Sequence, residues 1–331
     1  MAQTEVQTAE ATIGAAIRQA VEDAMHRDER VLVLGEDIEH MGVFAGLHHT
    51  FGTARVRETP ISESAIVGAS VGAALGGLRP IAEIMIMDFL GVCMDQLANM
   101  AAKLRYTTAG RTHVPMTVRA VSYGGGGFGS GSTHSQSLEA WLMHVPGLKV
   151  VYPSSPADAK GLMASCIEDD DPCIFVESPV LYGVRGEVPV DPGFRVPLGR
   201  AAVRREGSDV TLIGYGRTAL DALAVADQLA PEGISVEVVD LRSLVPLDVD
   251  TVLASVEKTG RAVVSHLAVE FCGPGAELAA LISERLFGRL RAPVRRLGGR
   301  PTPIPASRHL EPHWYPSVES TAAAVRAVVG S

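Results

Sequence analysis

The feature that most limits how this chain can fold is an alternation that runs along nearly all of its 331 residues. Segments with helical apolar spacing take turns with short, unbroken apolar runs. Ile13, Ile17, Ala20, Val21 and Ala24 fall on one helix face, and Val31-Leu32-Val33-Leu34 then reads as a strand buried on both sides that ends at Gly35. The pattern repeats as a small-residue helix over 64–77, a strand over 81–87, a helix over 90–105 and a strand over 116–121. A helix over 138–144, a strand over 149–152, a helix over 156–168 and a strand over 173–177 follow. Such alternation predicts an α/β protein with a mostly parallel sheet covered on both faces.

A chain of this length exceeds one hydrophobic core, so two domains are expected. From Ser178 to Gly199 periodicity lapses and Pro179, Pro189, Pro192 and Pro197 accumulate, which is the composition of a linker. The predicted organisation is an N-terminal domain over 1–185, a linker over 186–200 and a smaller α/β domain over 201–331. The second domain's strands are expected over 210–213, 235–239 and 261–265, and its helices over 219–229, 249–258 and 275–286.

Composition removes several functions. A net charge of −9 without a clustered Lys/Arg run argues against nucleic acid. Ala65–Leu78 is the most apolar stretch and is too short to cross a bilayer, and the N-terminus lacks the features of a secretory signal, so a cytoplasmic protein with no membrane contact is expected. Cys93, Cys166, Cys173 and Cys272 have no C-x-x-C spacing and read as buried, reduced thiols.

Two short patterns are false leads. Gly124, Gly126 and Gly129 fit G-x-G-x-x-G, but no helix is predicted at the third glycine and no acid follows at the ribose-binding distance. Gly68-Ala69-Ser70-Val71-Gly72 fits a hydrolase nucleophile pattern but lies within a predicted helix, where small residues serve close packing.

Three other places point to chemistry. Glu63 ends Thr59-Pro60-Ile61-Ser62-Glu63 just before an apolar helix; taken alone it would be an acid placed to favour a helix dipole. Phe89 follows Asp88 at the end of a strand and offers a flat aromatic surface, or simply core. His134 stands in Gly131-Ser132-Thr133-His134-Ser135-Gln136-Ser137, beyond a glycine-rich loop, and can exchange a proton near neutral pH.

Together with Gly35-Glu36-Asp37, Arg79-Pro80-Ile81-Ala82-Glu83, Pro146-Gly147-Leu148-Lys149-Val150-Val151 and Val239-Asp240-Leu241-Arg242, these segments resemble the β subunit of thiamine-diphosphate-dependent 2-oxo acid dehydrogenases, over nearly the whole chain. The resemblance implies transketolase-like pyrimidine-binding and C-terminal domains, with thiamine diphosphate as cofactor. That cofactor reacts through a carbanion at its thiazolium C2, which its own aminopyrimidine generates once a protein carboxyl group drives the required tautomer. The resemblance gives that task to Glu63, stacks Phe89 on the aminopyrimidine, and adds Glu36 and Ile61 to the cofactor site. It makes His134 the active-site acid/base, near the point of transfer to a lipoyl group. It also implies a monovalent cation, K⁺, held by backbone carbonyls at Cys166, Ile167, Asp169 and Asp171.

Family members hold the diphosphate through Mg²⁺ bound by a Gly-Asp-Gly segment, and none occurs here. The chain therefore reads as half a site, with an α subunit supplying the rest in an α2β2 assembly and a lipoyl-bearing E2 acyltransferase or carrier as acceptor. Pyruvate, branched-chain 2-oxo acids and acetoin are the expected donors. The competing expectations are half of a split transketolase-like enzyme that moves a two-carbon ketol unit, and a scaffold subunit without catalysis. Two positions depart from the family pattern: Leu267 in His266-Leu267-Ala268, where a glutamate is usual, and Thr133, where a glutamine usually precedes the histidine.

Overall fold

Local chemistry starts the first helix: the Thr12 side chain accepts a hydrogen bond from the Ala15 amide, and α1 (Ile13–Arg27) buries Ile13, Ala16, Ile17, Ala20, Val21, Ala24 and Met25. The computed structural model describes residues 7–330. The remaining elements, in chain order, begin with β1 (Thr8–Thr12), β2 (Val31–Gly35), α2 (His48–Phe51), β3 (Val56–Glu58), α3 (Glu63–Leu75), β4 (Arg79–Ile84), α4 (Ala102–Thr107) and β5 (Thr117–Val121). There follow α5 (Glu139–Met143), β6 (Lys149–Val151), α6 (Pro156–Glu168), β7 (Cys173–Glu177) and β8 (Arg185–Pro189). The chain ends with β9 (Ala202–Arg205), β10 (Val210–Gly214), α7 (Arg217–Leu229), β11 (Val236–Asp240), β12 (Ser243–Val245), α8 (Val249–Thr259), β13 (Ala262–Val269), α9 (Pro274–Arg285), β14 (Arg295–Gly299) and α10 (Val318–Val329).

These elements form two units. One takes the described residues up to Val121 together with Val145–Leu198, and the other takes Ser122–His144 together with the chain from Gly199. In the first unit the strand order is β6-β7-β5-β4-β2-β3, and every pair is parallel. The strands β2, β5 and β7 are buried along their whole length, as a sheet covered on both faces requires. Ser155 caps α6 by accepting the Asp158 amide, and α6 packs on α1. In the second unit the order is β14-β13-β10-β11-β9, parallel except for β9 at the edge. Its core joins Leu212, Val225, Val238, Val263 and Val325 from the sheet and the helices α7 and α10.

The α/β class and the parallel sheets match the sequence expectation, and several individual elements differ from it. The helix expected over 90–105 is broken: a 3₁₀ turn spans Met87–Gly91, and a π-helical stretch, Gln96–Ala101, precedes α4. A wide π turn displaces side chains from ideal helical positions, and Gln96 lies close against Gly68 of α3. Arg185–Pro189, in a proline-rich stretch without periodicity, pairs as β8 antiparallel to β1. Cys93, Cys166 and Cys173 are buried as expected, but Cys272 is exposed, at a left-handed backbone position (φ 55°) in the turn after β13. All four are free thiols. Among the described residues no helix is long and apolar enough to cross a membrane.

Candidate active site

In the first unit Pro60 ends the extended chain and α3 begins at Glu63, so the carboxylate sits in the first turn, where unpaired helix amides favour negative charge. Glu63 is nonetheless buried. Ser64, next to it, donates its hydroxyl to the Val92 carbonyl at 2.8 Å, which ties the head of α3 to the turn that carries Phe89. Phe89 is half-buried, and Ile61 is 75% exposed, a large apolar side chain facing solvent two residues before Glu63.

Glu36 follows β2 and is also buried, and its Oε2 has no hydrogen-bond partner among the described residues. Burial pushes its carboxyl above the usual range, and the charges of Glu63 and Asp37 push it further. Two buried carboxyl groups thus share one neighbourhood. The same neighbourhood holds Cys93, whose thiol burial and the Glu63 charge push up to about 12. It is therefore an inert thiol.

Beside this pair the sheet carries a buried ion network. Glu83 of β4 and Arg119 of β5 are register partners, and the Arg119 guanidinium ion-pairs with Glu83 and, at 2.5 Å, with Glu177 of β7. It also lies 4.2 Å from the centre of the Phe44 ring. All three ionic residues are buried. Burial raises the Glu83 carboxyl against the pull of Arg119, and Glu177 and Glu36 add to the rise. Arg119 is held charged, because the Glu177 and Glu83 carboxylates outweigh the effect of its burial. The end of β2 lies so close to β4 that a Cβ on Gly35 would come within 2.5 Å of the Glu83 Cβ; only glycine permits that approach, which brings Glu36 to the network's edge.

His134 belongs to the second unit, within Ser122–His144. It is half-buried, its amide donates to the Gly131 carbonyl at 3.3 Å, and its Nδ1 lies 2.9 Å from the Thr133 hydroxyl. The unusual Thr133 is thus in direct contact with the histidine ring. The glycine loop before it is fixed by residues from far along the chain. Glu311 accepts the Gly127 amide at 3.1 Å and the Gly129 amide at 2.7 Å, Arg308 donates to the Phe128 carbonyl at 3.1 Å, and Arg217 donates to the Gly125 carbonyl. Tyr315 donates its hydroxyl to the Ser135 carbonyl at 3.0 Å. The unusual Leu267 is buried with Ile304, Trp314 and Tyr315 and packs toward Gly125. Two amides that a phosphate would need in a G-x-G-x-x-G loop are bound to a carboxylate, which removes the nucleotide reading on physical grounds. A cavity of about 520 Å³ adjoins this loop, with Ser132, Gln136, Ser137, Val269, Thr302 and Trp314 in its wall.

At the end of α6, the Ile167 and Asp169 carbonyls accept from Arg79 at 3.1 and 3.0 Å, and the Cys166 carbonyl accepts the Asp169 amide at 3.3 Å. The Asp169 carboxylate pairs with Lys149, and that of Asp171 with Arg105 at 2.6 Å. Among the described residues no cluster of three His, Cys, Asp or Glu side chains could hold a metal ion.

The structure therefore gathers Glu36, Glu63 and Phe89 in the first unit and places His134 in the second. Sequence reasoning missed the ion network and the fixings of the glycine loop. The network had a signal: Glu83, Arg119 and Glu177 each stand alone among apolar strand residues, and charges of opposite sign are tolerated there only as partners. Glu311, in a polar stretch near the C-terminus, had none.

Two family models match the chain: the transketolase pyrimidine binding domain over residues 9–184 and the transketolase C-terminal domain over 199–320. The β subunit of an acetoin:2,6-dichlorophenolindophenol oxidoreductase from Cupriavidus necator is 45% identical over 329 residues, covering 95% of this chain and 96% of the relative. The 2-oxoisovalerate dehydrogenase β subunit of Pseudomonas aeruginosa is 43% identical, with 95% and 93% covered. The β subunit of the pyruvate dehydrogenase E1 component of Bacillus subtilis is 42% identical, with 97% and 99% covered. A solved split-gene transketolase, described as an inactive β4 tetramer, superposes with a TM-score of 0.78 at 23% identity over 97% of this chain and 98% of that one.

Proposed function

The chain belongs to the transketolase-like family of E1 β subunits, and on that premise we propose that it is the pyrimidine-side half of a thiamine-diphosphate enzyme that cleaves a small 2-oxo acid or acetoin. The observation that carries this reading is the buried acid pair, Glu63 at the head of α3 and Glu36 with an orphaned oxygen beside it. A buried carboxylate oxygen without a donor is a standing cost unless a ligand's N–H meets it, and an aminopyrimidine offers both an amino group and a protonated ring nitrogen. The residues present fit the group.

When bound, thiamine diphosphate supplies the nucleophilic carbon that adds to the donor's carbonyl. Glu63 would hold the proton shared with the pyrimidine ring nitrogen, from a site that helix amides favour and solvent does not reach. Glu36 would accept from the cofactor's polar edge, and Phe89 would cover the ring and keep water away. His134 would give or take the proton at the donor's oxygen as its charge changes, and later at the acceptor sulfur. The diphosphate and Mg²⁺ would lie with an α subunit, because the chain has no Gly-Asp-Gly segment. A lipoyl-bearing E2 would take the acyl group. The carbonyl turn at Cys166, Ile167, Asp169 and Asp171 would serve as a K⁺ site only through oxygen lone pairs left over from Arg79 and the helix end.

The test is donor-dependent reduction of ferricyanide or dichlorophenolindophenol by the chain assembled with its α partner, thiamine diphosphate and Mg²⁺. Turnover with pyruvate, a branched-chain 2-oxo acid or acetoin, lowered about 100-fold or more by Glu63→Ala, is the expected result. Turnover with ketose phosphates alone, or a Glu63→Ala enzyme of near-normal rate, would overturn it.

A further inference from the structure

The hydrogen bonds that reach the glycine loop from far along the chain converge on its main-chain atoms, and one carboxylate, that of Glu311, makes two of them. Glu311 is fully buried, and each of its two oxygens accepts one backbone amide, Oε1 from Gly127 and Oε2 from Gly129. The residue is separated from those amides by more than half the chain, so the contact serves tertiary placement of the loop rather than local turn formation. The loop cannot retreat on its other side. Gly129 is left-handed (φ 72°), and a Cβ there would come within 2.8 Å of the Ala306 carbonyl oxygen and of the Arg308 side chain. Leu267 lies against Gly125, and Tyr315 holds the Ser135 carbonyl just past His134.

We propose that Glu311 is the positioning residue for His134: its carboxylate clamps the Gly127 and Gly129 amides and thereby fixes the loop that carries the imidazole. The inference rests on the acid/base reading of His134 given above. A carboxylate suits the clamp because it offers acceptors at both ends of one rigid group, and charge strengthens a hydrogen bond to an amide. Glu311→Gln keeps the shape but turns one acceptor into a donor that faces an N–H. The clamp then holds one amide and repels the other. Misplacing a proton donor by about an ångström reduces rate far more than it reduces substrate affinity.

The experiment uses the chain assembled with its α partner and compares Glu311→Gln, Gly129→Ala and His134→Asn. Acyl transfer to a lipoyl acceptor is measured, and the Gly127 and Gly129 amides are followed by hydrogen exchange. Glu311→Gln should lower kcat about 10-fold or more with the donor KM changed by less than about threefold, and should speed exchange at the amide that loses its acceptor. Gly129→Ala, which disturbs the same loop from the opposite side, should reproduce the kcat-only loss. If His134→Asn impairs transfer while Glu311→Gln and Gly129→Ala do not, the clamp has no positioning role and the inference fails. Faster exchange with unchanged kcat would likewise reduce Glu311 to a structural contact and overturn it. A His134→Asn enzyme of normal rate would instead remove the reading on which the inference stands.

Discussion

Glu63 stands in the first turn of a 13-residue helix and its neighbour Glu36 directly follows β2, whose sheet carries the buried ion network on adjacent parallel strands, whereas His134 is carried by irregular chain between β5 and α5. The acid end takes its placement from backbone register: Gly35 against Glu83, Glu83 against Arg119, Arg119 beside Glu177. The histidine end takes its placement from single side chains, Glu311, Arg308, Arg217 and Tyr315, that reach main-chain atoms of the loop. A sheet end can position a buried acid without further help, but a glycine loop adopts one shape only when other residues impose it. The cost of a substitution should therefore fall on stability in the first region and on turnover in the second.

Arg119→Met should strain that contrast most. It leaves Glu83 and Glu177 buried without their cation, and removing one partner of a buried ion network costs about 3–5 kcal/mol. Chemical denaturation should show that loss, and a change below about 1 kcal/mol would mean that the network contributes little to the sheet.

A smaller effect tests the second region for a charge that burial disfavours. Glu139, at the start of α5, is fully buried, and burial pushes its carboxyl up to about 7 from 4.5 against the weaker pull of its own backbone amide. Below the unfolded value the group is neutral in both states and costs nothing. As pH rises from 4.5 toward 7, the unfolded chain releases the proton while the fold retains it, so stability falls and the penalty is complete above 7. At full development it amounts to at most about 3 kcal/mol. Glu139→Gln should remove this pH dependence, so the difference in melting temperature between variant and wild type should grow in the variant's favour across that range. A constant difference would mean that the carboxyl finds a partner.

Much of the architecture was legible in the sequence because doubly buried parallel strands have to be continuous apolar runs, and Val31–Gly35, Cys173–Glu177 and Val210–Gly214 announce themselves in that way. Glu63 was legible as an acid at a helix start, and the structure adds its burial and the unpartnered oxygen of the nearby Glu36. The helix expected over 90–105 fails because a π turn keeps helical spacing on average while changing the hydrogen-bond pattern, which apolar periodicity cannot register. Strand β8 was hidden because edge pairing to β1 asks for backbone hydrogen bonds rather than apolar side chains; Arg185 and Glu187 give no strand signal. Glu311 was invisible for a related reason. Its partners are amides, which every non-proline residue carries, so no pairing of side-chain types marks the contact.

On the proposed function, this chain carries only the pyrimidine side of a shared thiamine-diphosphate site. Isothermal titration of thiamine diphosphate, with and without Mg²⁺, into the pure chain and into the chain assembled with its α partner tests it most directly. Mg²⁺-dependent saturable binding by the assembly and no saturable binding by the chain alone is the expected result. Tight Mg²⁺-dependent binding by the isolated chain would contradict it.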